Sequence, residues 1–96
     1  MIAFPENRRL PLGKVVITPG AEALILGAGH NTDEYLRRHE SCDWGEIDPD
    51  DAVMNDEHLE SGGQVMSVYV VKDDKKVWVI TERDRSVTTI LLPDDY

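Results

Sequence analysis

Hydrophobic and polar residues form their clearest pattern in the last third of the chain, residues 64–92. Three runs rich in valine, isoleucine and threonine are separated there by two short, charged turns. Strands joined by such short turns pair in the antiparallel direction. The pattern therefore predicts a C-terminal antiparallel meander. Its last strand is expected to end at Pro93, because proline lacks the N–H that strand pairing requires.

The chain before the meander predicts one strand, over residues 14–18, and three short helices. Each helix is preceded by a residue whose side-chain oxygen can accept an unpaired N–H of the first turn. These helix-start signals are Thr18 before Pro19, Asn31 with Glu34 three residues on, and Asp48 before Pro49. We expect the third helix to run to about Leu59 with Val53 facing inward, and glycines 62 and 63 to follow its end.

This order of elements, β-α-α-α-β-β-β, predicts an α+β domain of two layers. The helices are expected to pack on one face of a four-stranded sheet, with the first strand at an edge of the meander. The pattern leaves open which edge that is. Residues 13–96 are assigned to this single domain. Residues 1–12 lack periodicity and contain Pro5 and Pro11, so we expect a flexible N-terminal arm there.

The acidic residues are concentrated in the middle of the chain, which carries a net charge of −9 overall. Residues 39–71 contain nine acidic residues and no lysine or arginine. Such a segment repels nucleic-acid phosphates and attracts cationic surfaces. Direct binding of DNA or RNA is therefore not expected, whereas binding to a basic protein is. The alternative is that this charge serves only to keep the domain in solution.

Composition also bears on location and assembly. No run approaches the roughly 18 apolar residues of a membrane span, and no secretory signal follows the first residue. We expect no membrane partner and a cytoplasmic location. Cys42 is the one cysteine, so no disulfide can form within the chain. The oligomeric state is left as monomer or homodimer, since an exposed edge strand could pair two copies.

Candidate sites for metals and cofactors lack the required ligand sets. His39 and Cys42 stand at H-x-x-C spacing, but a zinc site needs two more ligands and no second such pair exists. The acid-rich run of residues 48–59 suggests a calcium site, yet Val53 stands where the calcium loop needs glycine. No phosphate-binding loop or nucleophile elbow is present. We predict no metal and no cofactor.

Three segments of the chain resemble a family of short bacterial proteins described only as plasmid-related or hypothetical. They are KVVITPGA at 14–21, RRHESCDWGE at 37–46 and VWVITERDRSVTTILLPDDY at 77–96. The family has no assigned catalytic activity, so the resemblance implies no catalytic residue. It implies a cytoplasmic bacterial protein that travels on mobile elements. The tryptophan loop of the family lacks a cysteine, which argues against a family-wide role for Cys42.

These observations predict a non-enzymatic interaction or regulatory module that binds a basic partner protein. One version is a DNA-mimicking inhibitor encoded on a mobile element, in which carboxylates stand in for phosphates. The predicted partner-binding residues are Glu40, Asp43, Trp44, Glu46, Asp50, Asp51, Asp56, Glu57, Arg83 and Arg85.

The alternative to an interaction module is a small ligand-binding or enzymatic domain. Its site would lie between helices and sheet, near His39, Trp44 and the turn containing Arg83 and Arg85. A simpler interpretation of Trp44 is an anchor that fixes its loop to the core. For the turn, the simpler interpretation is that its arginines pair with local groups.

Overall fold

A computed structural model describes residues 10–96 and confirms the predicted α+β class. The elements, in chain order, are β1 (Lys14–Ile17), α1 (Pro19–Gly27), α2 (Thr32–Glu40), α3 (Pro49–Ser61), β2 (Val65–Lys72), β3 (Lys75–Thr81), β4 (Val87–Leu91) and a short 3-10 turn (Pro93–Asp95). Most of the predicted N-terminal arm, residues 1–9, lies outside the described residues. Leu10 is fully buried and donates its N–H to the carbonyl of Glu40, so the packed domain includes part of that arm.

The helix-start signals act largely as predicted. The Thr18 hydroxyl accepts the N–H of Ala21, and Asn31 forms a complete capping box with Glu34. The third helix does begin at Pro49, but the Asp48 side chain makes no capping hydrogen bond. At the other end of α3, Gly62 adopts the left-handed conformation (φ 93°) that closes many helices.

The sheet is mixed, with strand order β1-β4-β3-β2. The meander β2-β3-β4 is antiparallel throughout, as the short turns predicted. β1 joins the β4 edge and runs parallel to β4, with Lys14 opposite Val87 and Ile17 opposite Ile90. The crossover between these parallel neighbours contains all three helices and the rest of the meander.

The main core lies between one face of the sheet and helices α1 and α2. Alternate strand residues point to this face, because side chains alternate along a strand. The buried cluster consists of Ala21, Ile25 and Tyr35 from the helices and Tyr69, Val71, Val77, Val79 and Ile90 from the sheet. A second cluster joins Leu10, Trp44 and Val65 and extends the core toward α3.

Val53 does not face inward, contrary to the prediction for α3. Its side chain is 54% exposed, and the buried residue of α3 is Asn55. The Asn55 amide donates to the carbonyl of Met66 (2.8 Å) and accepts the N–H of Met66 (3.2 Å). Helix α3 therefore turns a polar side chain toward β2, because that side chain completes the hydrogen bonds of an edge strand and a valine could not.

The loop before α3 covers a further part of the β2 edge. Val68 donates its N–H to the carbonyl of Trp44 (3.0 Å) and accepts the N–H of Glu46 (2.7 Å). Gly45 lies between them with φ 74°, so close to Val68 that a Cβ would collide with its carbonyl oxygen. This close approach requires glycine.

Candidate functional site

The predicted acidic surface lies mainly on α3 and on the loop that precedes it. The exposed acidic residues of this surface are Asp43, Glu46, Asp48, Asp50, Asp51, Asp56, Glu57 and Glu60. Asp50 and Asp51 occupy the first turn of α3, where the helix dipole favours negative charge. Glu46 and Asp48 come just before the helix, so four carboxylates gather around its N-terminal half.

Three of the predicted partner-binding acids, two of them exposed, take part in contacts within the protein. Asp43 pairs with the guanidinium of Arg38 at 2.7 Å, and this hydrogen bond lowers the pKa of Asp43. The same carboxylate accepts the N–H of Gly45 (3.1 Å). Asp56 accepts the indole N–H of Trp44 (3.3 Å), and Glu40 is half-buried. These acids therefore shape the loop that follows α2.

Trp44 and Arg85, which the sequence placed on a partner-binding surface, make contacts within the fold. Trp44 is 7% exposed, so it anchors its loop and cannot present its ring to a partner. Arg85 donates to the carbonyl oxygens of His58 (2.6 Å) and Gly63 (2.7 Å). It thereby ties its turn to the C-terminal end of α3, where the His58 carbonyl also accepts the N–H of Gly62. Arg83, in the same turn, is exposed.

An apolar stripe crosses the acidic surface of α3. Val53 is 54% and Met54 48% exposed. Asp50 and Glu57 lie one turn away on either side, at the spacings that bring helical side chains together. The folded chain therefore leaves two apolar side chains in water between the carboxylates of Asp50 and Glu57.

A groove lies beside this stripe, between α3 and the start of β2. Its volume is about 260 Å³. The lining residues are Ile47, Asp51, Met54, Asn55, His58, Gln64 and Met66. Sequence reasoning missed this groove, because Met54 and Met66 are brought together only by the Asn55 contacts with the β2 backbone.

The alternative site does bring His39, Trp44 and Arg85 near one another, but in the closed core. His39 has no exposed surface, and its ring meets the Trp44 ring edge-on with centroids 5.8 Å apart. Burial, and to a smaller extent the positive charge of Arg85, lowers the pKa of His39 from 6.5 to about 4. His39 is therefore a neutral imidazole near pH 7.

Hydrogen bonds around His39 form a chain whose direction can be derived. The Thr88 hydroxyl must donate to the carbonyl of Leu12 (2.7 Å), because a carbonyl only accepts. Thr88 then accepts from Thr81 (2.7 Å), and Thr81 in turn accepts from Nε2–H of His39 (2.9 Å). Nδ1 of His39 is left to accept the hydroxyl proton of Ser67 (2.6 Å). The imidazole is thus the Nε2–H tautomer.

The hydrogen bond between Ser67 and His39 is the kind that joins a nucleophilic serine to its general base. The Ser67 hydroxyl, however, is buried and cannot reach a substrate. Ser67, His39, Thr81 and Thr88 all have no exposed surface. A nucleophile must reach its substrate. The His39 chain is best described as a satisfied polar network that joins α2 to β2, β3 and β4.

The structure also bears on metal and membrane sites. Within residues 10–96, no group of three or more His, Cys, Asp or Glu side chains is placed to hold a metal ion. No helix in that part of the chain combines the length and apolarity that a membrane crossing needs.

Comparisons of the chain with protein families, with curated proteins and with solved structures give no match. The resemblance to plasmid-related proteins therefore stays a prediction.

Proposed function

We propose that this protein is a non-enzymatic interaction module that binds a basic protein through the exposed side of α3. The observation that carries the proposal is the exposed pair Val53 and Met54 among the carboxylates of that helix. Protein interfaces commonly have an apolar centre and a polar rim. A surface that served only to keep the domain in solution would not need two large apolar side chains at its centre.

The charge of the same surface identifies the kind of partner. Residues 39–71 contain no lysine or arginine. Asp43 of this segment pairs with Arg38, which lies on α2. The carboxylates of α3 therefore favour a partner surface rich in lysine and arginine, and they speed its approach at low salt.

One specific form of the proposal is a DNA-mimicking inhibitor. Its carboxylates would occupy the places of phosphates on a nucleic-acid-binding protein, such as a host defence enzyme. The resemblance to plasmid-related proteins motivates this form, and a location in the bacterial cytoplasm is part of the proposal. Inhibition of such a partner would require no catalytic residue of this chain, which agrees with the buried state of His39.

The test is capture of partners from a bacterial lysate by the tagged protein, followed by affinity measurements at increasing salt. The double variant Asp50→Asn/Glu57→Gln should weaken binding and reduce its dependence on salt. The matched control, Asp73→Asn/Asp74→Asn, removes two exposed charges from the β2–β3 turn and should leave binding unchanged. Partners that are acidic, or binding that is indifferent to salt, would show the proposal to be wrong.

A further inference from the structure

The groove between α3 and β2 has the size and lining of a pocket for one side chain. Its volume of about 260 Å³ lies below the roughly 300–1,000 Å³ of small-molecule sites. Met54, Met66 and Ile47 supply apolar walls, and Asp51 lies at the same opening. Methionine side chains are flexible and polarisable, so they adapt to apolar groups of different shape.

The backbone around the groove is held in place although its methionines can move. Asn55 fixes Met66 to α3 through two hydrogen bonds, and Nδ1 of His58 bonds the carbonyl of Gln64 at 2.7 Å. Arg85 binds the carbonyl of His58 from the other side. A site that is already formed loses less entropy when it binds. The groove therefore has a rigid frame and an adaptable lining.

Charge determines which occupant suits this groove. The carboxylate of Asp51 lines it, Asp50 is its neighbour, and the surrounding segment has no lysine or arginine. Phosphates and acidic peptides are repelled by such a rim. A simple cation would be attracted to the rim but would make no use of the two methionines. The fitting ligand has both an apolar group and positive charge.

We infer that the groove binds a short cationic segment of the partner protein. One large apolar side chain of that segment lies between Met54 and Met66, and flanking lysine or arginine side chains meet Asp50 and Asp51. This inference rests on the proposed function and assigns it a pocket. If the inference is correct, the affinity depends on one apolar side chain of the partner. A surface that binds by charge alone would show no such dependence.

The test uses the full chain with 13C-labelled methionine methyl groups and three capped pentapeptides. The probe is Lys-Lys-Trp-Lys-Lys, and the controls replace its tryptophan by alanine or its lysines by glutamate. We expect the lysine–tryptophan peptide to shift the methyl resonances of Met54 and Met66, and both control peptides to shift them far less. Equal shifts with the alanine peptide would overturn the inference, because the apolar anchor would then be irrelevant.

Variants distinguish the contribution of the groove to binding from the contribution of the charge on α3. Met54→Ala should weaken binding of the lysine–tryptophan peptide at least about fivefold, the loss typical of an interface anchor. Leu26→Ala, on the equally exposed surface of α1, should have no effect. If Met54→Ala leaves binding to peptide and captured partner unchanged while Asp50→Asn/Glu57→Gln weakens it, the groove is excluded and the proposed function stands. If neither variant matters, both are wrong.

Discussion

The side chain of His39 is held in one orientation and one tautomer by its hydrogen bonds. Both of its ring nitrogens have a partner, and the carbonyl of Leu12 fixes the direction of the whole hydrogen-bond chain. A buried polar group of this kind stabilises a fold only while each partner stays in place. A second proton on the ring would meet the hydroxyl proton of Ser67 at Nδ1, so protonation conflicts with the folded arrangement.

Stability should fall at mildly acidic pH because of His39. Its pKa is 6.5 when unfolded and about 4 when folded, so between these values the unfolded chain binds the extra proton. The His39 contribution is present above pH 6.5 and is lost as pH falls toward 4. At about 1.4 kcal/mol per pH unit, the full loss is about 3 kcal/mol. Urea unfolding followed from pH 7 to pH 4 measures it.

The control for this titration is His39→Gln. This variant should be less stable at pH 7, but its free energy of unfolding should vary less between pH 6.5 and 4. The pKa of Asp43 is lowered by its pair with Arg38, so its contribution is lost below its ordinary value of 3.8. An unchanged pH dependence in His39→Gln would contradict the assignment.

Gly45 should be intolerant of any side chain. Gly45→Ala places a Cβ against the carbonyl of Val68 and strains a backbone with φ 74°. We expect a loss of about 2 kcal/mol or more in the free energy of unfolding. Gly29→Ala is the matched control, since Gly29 has φ 79° but nothing within 4 Å of the added Cβ. Equal losses would show that backbone strain alone, and not the contact with β2, explains the effect.

At the scale of elements, α3 is attached to the sheet by polar contacts at its middle and its end. Asn55 bonds the backbone of Met66, and Arg85 bonds the carbonyls of His58 and Gly63. This attachment leaves the apolar residues Val53 and Met54 outside. The exposed stripe and the fixed groove are thus two results of one packing arrangement.

Asn55→Ala should loosen α3 from the edge of β2. The substitution leaves the N–H and C=O of Met66 without their partner, which typically destabilises a protein by about 1–3 kcal/mol. Hydrogen exchange at the Met66 amide should become faster. Asn31→Ala, which removes a helix cap worth about 1 kcal/mol, is the control and should leave Met66 exchange unchanged. A Met66 amide that stays protected in Asn55→Ala would refute the role of this contact.

Local signals in the sequence predicted the elements well, because caps and turns depend on neighbouring residues. Asn31 with Glu34 and the Thr18 cap are examples. The orientation of α3 was predicted wrongly, since hydrophobicity placed Val53 inside. The residue that determines this orientation, Asn55, acts on the backbone of a strand that comes later in the chain. The contacts of Arg85 with the carbonyls of His58 and Gly63 were not predicted for the same reason, because these residues lie far from it along the chain.

At the scale of the whole molecule, the two edges of the sheet differ. The β2 edge is covered in part by residues 44–46 and by Asn55. The β1 edge has four residues, and Val15 and Val16 are both about two-fifths exposed. The choice between monomer and homodimer stays a prediction. If two copies do pair through strands, β1 is the edge that they would use, because the β2 edge is partly covered. The short length of β1 and its lysine reduce the tendency to pair but do not abolish it.

The parallel pairing of β1 with β4 has a mechanical consequence. The start of β1 and the end of β4 lie at opposite ends of the sheet, since Lys14 pairs with Val87 and Ile17 with Ile90. Tension applied at residues 14 and 91 therefore slides the two strands past each other and loads all their hydrogen bonds together. Tension applied at Val65 and Thr81, which are paired across β2 and β3, opens the bonds one after another.

Single-molecule pulling through linkers at these two pairs of positions should give a higher rupture force for residues 14 and 91. Rupture under load reflects the rate of unfolding rather than the equilibrium stability. Equal rupture forces would mean that the direction of strand pairing does not determine the mechanical resistance of the domain. A domain with a stability typical of its size could thus withstand tension along one direction and yield readily along another.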